Sequence, residues 1–164
     1  MSFFDNAIIK FLSPAWVERP VEYLWHLYHT ARLNSVTTNN HREIFKAIDK
    51  NSLDISSDFP HRDVIALENV TQKILKENVV IAEIGSWKGM STSVMAKTVG
   101  DFHGKVFAID HWQGSDAVPE HQQSKKNDML SIFRYNMSAL GVAHCVYPCV
   151  MTSEIAATIF PDNY

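Results

Sequence analysis

The chain has 164 residues, which at about 150 residues per domain predicts one domain. Hydrophobic residues make up 46% and charged residues 20%, an ordinary globular composition that excludes a disordered chain. A net charge of −3 lacks the basic excess of a nucleic-acid binder, two cysteines cannot build a disulfide framework or a four-thiolate zinc site, and no apolar run reaches the roughly 18–20 residues that span a bilayer.

The N-terminus, MSFFDNAIIK, carries Asp5 and no basic residue ahead of its apolar stretch, which predicts no secretory signal and a reducing cytoplasm. Residues 1–40 are rich in aromatics, among them Phe3, Trp16, Tyr23 and Trp25, and Pro14 and Pro20 cut them into short helical pieces. Such a segment suits a cap over a site or a dimer contact. It lacks the Lys/Arg-rich face of a membrane-surface helix. Residues 41–78 read as helical. Ile44, Phe45 and Ile48 recur at helical spacing, Pro60 suits a helix start, and Val64, Leu67, Val70, Ile74 and Leu75 follow. Residues 1–78 are therefore expected to form a helical region ahead of a second unit, 79–164.

From Val79 the pattern changes. Residues 79–84 form a short β-branched run that stops at Gly85, as in a strand buried on both faces of a parallel sheet. Ser91 to Val99 reads as a helix and Lys105 to Asp110 as a second strand. A polar stretch, His111 to Asn127, is long for a strand–helix loop, and Asp116, Glu120, Lys125 and Lys126 within it read as solvated. Met129, Ile132, Phe133, Asn136, Met137 and Leu140 share one helical face, with Asp128 placed to cap it and Gly141 to end it. Val142 to Val150 reads as a third strand, with Cys145 and Cys149 packing on one face. Ser153 is placed to cap a last helix carrying Ile155, Ala156, Ile159 and Phe160. The β-α-β-α-β-α order predicts right-handed crossovers and a parallel, Rossmann-like α/β sheet of about three strands.

In such a sheet, ligands bind at the carboxyl ends of the strands, near the point where strand order reverses. The first strand ends in Glu83-Ile84-Gly85-Ser86-Trp87-Lys88-Gly89. Gly85 permits a tight turn and close backbone approach, and Gly89 lets the next helix sit near the strand. The helix start at Ser91 and Thr92 offers free N–H groups to a ligand carboxylate or phosphate. Asp110, 25 residues after Gly85, can accept two hydrogen bonds from a ribose diol. A dinucleotide fold uses G-x-G-x-x-G to cradle a pyrophosphate, whereas here bulky Trp87 and Lys88 fill the loop. A ligand with an amino-acid tail fits better, because Glu83 supplies negative charge where an ammonium would lie. Lys88 reads as a solvated side chain. Trp112 is equally suited to packing the sheet edge and to stacking on a base. His26 and His29, and His103, His111 and His121, show no metal-ligand spacing.

EIGSWKGMST, GKVFAIDHWQGSD, FRYNMSALGV and SEIAATIF together resemble the class I S-adenosylmethionine-dependent methyltransferases, and more narrowly the group that includes macrocin-type sugar O-methyltransferases and proteins labelled cephalosporin hydroxylase. The resemblance covers residues 79–160. It implies S-adenosylmethionine as cofactor, with Glu83 and Gly85 beside the methionine moiety, Ser86 and Gly89 shaping its loop, and Ser91 and Thr92 near its carboxylate. It further implies Asp110 on the ribose hydroxyls, with His111 and Trp112 bordering the adenine. The implied reaction is attack by an acceptor hydroxyl, on a sugar or another small metabolite, at the sulfonium methyl. In the family a further strand supplies metal and acceptor contacts. With 86 residues from Val79 to Tyr164 and about 30 per βα unit, only the cofactor half is expected here. The resemblance thus implies a truncated form, with no catalytic base or metal ligand to name, any divalent metal being held outside this chain, and a first strand open to a completing chain or a second copy. A nicotinamide-dependent oxidoreductase and a non-catalytic remnant or interaction subunit are the competing readings.

Overall fold

The structure is a computed structural model that describes residues 40–55, 59–114 and 127–160. The expectations for the aromatic segment, for His26, His29 and His121, and for the charged residues between 115 and 126 lie outside these residues.

Two helices come first, α1 (Asn40–Asn51) and α2 (His61–Lys73). Helix α1 turns Ile44 inward, with Phe45 and Ile48 packed against the core. Its first backbone amides need acceptors, and the carboxylate of Glu68 on α2 supplies them, accepting from Asn40 N and His41 N at 3.2 Å each and contacting His41 Nδ1 at 2.6 Å. Helix α2 begins after Pro60, whose fixed φ suits a helix start, and buries Val64, Ala66, Leu67 and Thr71. The helical region expected over 41–78 is thus two separate helices, the second of which ends at Lys73.

A left-handed residue, Asn78 (φ 56°), turns the chain into strand β1 (Val80–Ile84). Ile81 and Glu83 are buried, while Val80, Ala82 and Ile84 are only partly so, which limits the expected two-faced burial to one face. Helix α3 (Met90–Val99) follows, then β2 (Lys105–Asp110). Nearly all of α3 is buried, which fits a helix packed between α2 and the sheet.

Helix α4 (Met129–Ala139) starts at Asp128, whose Oδ1 accepts from Ser131 N at 3.1 Å. It ends as expected at left-handed Gly141, where Val142 N donates to Met137 O at 3.0 Å. Strand β3 covers only Val146–Val150. The preceding Ala143–Cys145 form a 3-10 turn, closed by Cys145 N on Val142 O, because the chain leaving Gly141 must still turn before it can join the sheet. Cys145 therefore lies buried in that turn, not on the same strand as Cys149. Helix α5 (Ser153–Ile159) is capped by Thr152, not Ser153, and buries Ala156 alone.

The sheet is parallel, in the order β1-β2-β3, with Ile81 beside Val106 beside Val146 and Glu83 beside Ala108 beside Pro148. Because side chains alternate along a strand, Val106 and Ala108 meet the core under α3, and Phe107 faces the other way toward Tyr147 and Phe160. The chain is a Rossmann-like α/β protein with preceding helices. Among the described residues the strand order does not reverse, and nothing pairs with the outer edge of β1.

Candidate functional site at the strand tips

The tips of β1 and β2 lie side by side, since Gly85 N donates to Ile109 O at 2.9 Å and extends the strand ladder by one step. From there Gly85, Trp87 and Gly89 all take positive φ, at 85°, 45° and 91°. The two glycines serve different ends. A Cβ on Gly85 would meet nothing within 4 Å, so the loop is open on that side. A Cβ on Gly89 would lie 2.4 Å from Met137 Cε and 3.0 Å from the Phe133 ring, so this glycine admits α4. Trp87 has no such freedom, and a left-handed conformation costs a non-glycine residue about 1–2 kcal/mol.

That cost is offset by bonds to the tip of β2. Asp110 Oδ2 accepts from Trp87 N at 2.9 Å, and Asp110 Oδ1 accepts from Trp112 N at 2.7 Å. Trp112 Nε1 returns a bond to Trp87 O at 2.7 Å. Asp110 is thus a strut between two loops. Each of its oxygens keeps one lone pair for a further donor.

Glu83 is buried at the end of β1. It accepts hydrogen bonds from the hydroxyls of Ser91 and Thr92 on the first turn of α3. Burial pushes its carboxyl above the ordinary glutamate range. The two hydroxyls pull the other way, and the neighbouring Asp110 carboxylate adds to the rise. No cation pairs with it among the described residues. Ser86 Oγ lies near enough to favour the charged form of Glu83, and it is buried without a well-formed hydrogen bond among the described residues. Ser91 and Thr92 therefore face Glu83 with their side chains. The first helical bond of α3 runs from Ser93 N to Gly89 O at 2.8 Å, which leaves the earlier amides of the turn without an intrahelical acceptor.

Beside this loop is a cavity of about 250 Å³, lined by Gly85 to Ser91 and by Phe59. Small-molecule sites begin at roughly 300 Å³, so the space lies just below that range. His111 stands at the outer rim, 44% exposed, its Nδ1 accepting from Gln113 N at 2.9 Å. Trp112 does not present a ring for stacking. It is 5% exposed and packs against Phe133 with ring centres 5.0 Å apart, which matches the packing alternative. Lys88 is not solvated either. Its ammonium is buried against Asp54 Oδ1 at 2.6 Å.

The structure brings Glu83, Gly85, Ser86, Asp110 and Trp112 together around one loop, with Ser91 and Thr92 behind it and His111 outside. Sequence reasoning missed Asp54, Phe59 and the role of Asn136. A polar Asn136 within an otherwise apolar helical face was the one available signal. Nothing in the sequence distinguishes Asp54 from any loop acid. Among the described residues, no three His, Cys, Asp or Glu side chains gather to hold a metal ion, and no helix is long and apolar enough to cross a membrane.

Parallel strands with carboxylates at two neighbouring tips, joined across a glycine turn beside a cavity, are the strand-end arrangement of a Rossmann-like protein. A family model described as a methyltransferase domain matches residues 82–163, half of the chain, and the match contains all of the strand-tip residues. The chain belongs to that methyltransferase-domain family. No curated protein matches it.

Proposed function

We propose that the chain binds S-adenosylmethionine in the cleft over Gly85 and serves methyl transfer to a hydroxyl oxygen of a sugar or small hydroxylated metabolite, as in the macrocin-type group. The observation that carries this reading is the pairing of Glu83 and Asp110 on either side of a loop whose Gly85 is open to a ligand. The residues present fit the cofactor. Among the described residues, Ser86 Oγ is a buried polar atom in want of a partner, and Glu83 is a buried acid without a cation. An ammonium beside Glu83 would satisfy the acid, and a ribose diol would use the lone pairs Asp110 has left. The amides at the start of α3 are placed for a carboxylate.

When bound, S-adenosylmethionine supplies an electrophilic methyl group on sulfur. The chain's own contribution is positioning, through a backbone fixed before the ligand arrives. Counted from Gly85, Trp87 and Met90 stand where a G-x-G-x-x-G loop has its second and third glycines, which weighs against a nicotinamide cofactor. Calorimetric titration with S-adenosylhomocysteine and with NADH tests the reading. Saturable binding of the first, and none of the second, is expected. Binding of NADH alone overturns it.

A further inference from the structure

The connection between α1 and α2 reaches back to the glycine loop. Asp54 and Lys88, 34 residues apart, are joined twice. Their side chains form the 2.6 Å ion pair, and the Asn136 amide on α4 donates to both of their carbonyls, at 3.0 Å to Asp54 O and 2.9 Å to Lys88 O. Asn136 is wholly buried. With two carbonyls on one side of it, only the Nδ2 end can face them, so the orientation of the amide is fixed by its partners. Its Oδ1 has no partner among the described residues. The neighbouring Ile55 is wholly buried, and Phe59, from the same connection, lines the cavity.

The helical layer is fastened to itself by a different pair, His41 with Glu68. Asp54 and Lys88 fasten that layer to the loop. The pair is lopsided: Lys88 is 8% exposed and Asp54 is 54% exposed. A buried ammonium that loses its carboxylate must find water. For Lys88 that means turning the Trp87–Lys88 segment, whose two carbonyls are held by Trp112 and Asn136.

We propose that Asp54, Lys88 and Asn136 are positioning residues, a latch that keeps the Gly85–Gly89 loop in its ligand-binding shape and makes cofactor affinity depend on the helical layer outside the sheet. The proposal rests on the reading of the cleft given above. It is tested on the full chain by calorimetry with S-adenosylhomocysteine, alongside melting temperatures and hydrogen exchange of the Trp87 and Gly89 amides without ligand. The variants are Asp54→Asn, Lys88→Met, the two combined, and Asp54→Glu. Each single loss is expected to weaken binding about tenfold, the double variant no more than either single one, as coupled partners behave. Asp54→Glu is expected to restore most of the affinity. The two amides are expected to exchange about tenfold faster in Asp54→Asn, as local opening requires, and the melting temperature is expected to fall more in Asp54→Asn, which leaves the buried Lys88 ammonium unpaired, than in Lys88→Met. Parent-like affinity in folded variants overturns the latch, whether or not exchange changes, and leaves the cofactor reading intact. A parent chain that binds no S-adenosylhomocysteine overturns the cofactor reading instead. Exchange then judges the latch alone, and unchanged rates overturn it.

Discussion

The tip of β1 and the tip of β3 both lead from a strand into a helix, and they are held very differently. At β1, the residues from Gly85 to Gly89 are gripped from three directions: by Asp110 and Trp112 at the tip of β2, by Phe133, Asn136 and Met137 on α4, and by Asp54 from the helical layer. At β3, the chain enters α5 with one side-chain cap, Thr152, and one buried residue, Ala156, while Val150, Ile155 and Ile159 are 57%, 49% and 59% exposed. A loop can hold a left-handed tryptophan only where its surroundings over-determine it. The β1 tip has such surroundings and can be shaped for a ligand in advance. Among the described residues the β3 tip has one bond to the tip of β2, from Met151 N to Asp110 O at 3.1 Å, and no grip from α4 or the helical layer.

The sharpest way to break this contrast is to crowd the gripped loop. Gly89→Ala is expected to cost about 2–4 kcal/mol, combining left-handed strain with overpacking against Met137 and Phe133. Gly141→Ala, also at positive φ but with open space around it, is expected to cost only about 1–2 kcal/mol. Denaturant midpoints compare the two, and equal costs would remove the packing argument. Next comes the strut. Asp110→Asn turns one accepting oxygen into a donor NH2, so one of the two bonds from backbone amides is lost and the other loses its charged acceptor, for a loss of about 2–3 kcal/mol. The same change is expected to lower affinity for S-adenosylhomocysteine.

A smaller effect concerns pH. Burial raises the Glu83 pKa in the folded chain, so between the ordinary glutamate value and the raised one the folded state holds a proton that the unfolded state has lost. Stability from this group is therefore present at low pH and declines as pH rises through that window. Glu83→Gln is expected to flatten the decline, as read from melting temperatures across the acidic range, and a slope identical to the parent's would show that Glu83 is not its source. The smallest effect belongs to the other tip. Ile159→Ser is expected to shift stability by no more than about 0.5 kcal/mol, as exposed positions do. A larger loss would show that α5 is covered in solution.

The same contrast explains what could be read from the sequence. Strand β2 matches its expected span, and α4 has both its cap and its terminal glycine where expected, because Asp128 and Gly141 act on backbone within a few residues of themselves. The expected third strand began too early, since a run of apolar residues after Gly141 does not reveal that its first part is a 3-10 turn. Of the four apolar positions expected in the last helix, Ala156 is buried and Phe160 meets Phe107, while Ile155 and Ile159 stay exposed. At the site, Gly85 and Asp110 were legible from their places at strand ends. Lys88 was misread because its partner, Asp54, is distant in sequence, and charge alone predicts solvent. Trp112 faces inward because its indole N–H finds the carbonyl of Trp87, a partner that exists only once both loops are folded.

The central claim is that one small molecule touches the tips of both β1 and β2. Nuclear magnetic resonance of the full chain during titration with S-adenosylhomocysteine tests it directly. The backbone amide of Gly85 and the indole N–H of Trp112 are expected to shift along one common saturation curve. Saturable binding that moves neither signal, or only one of them, would contradict the account.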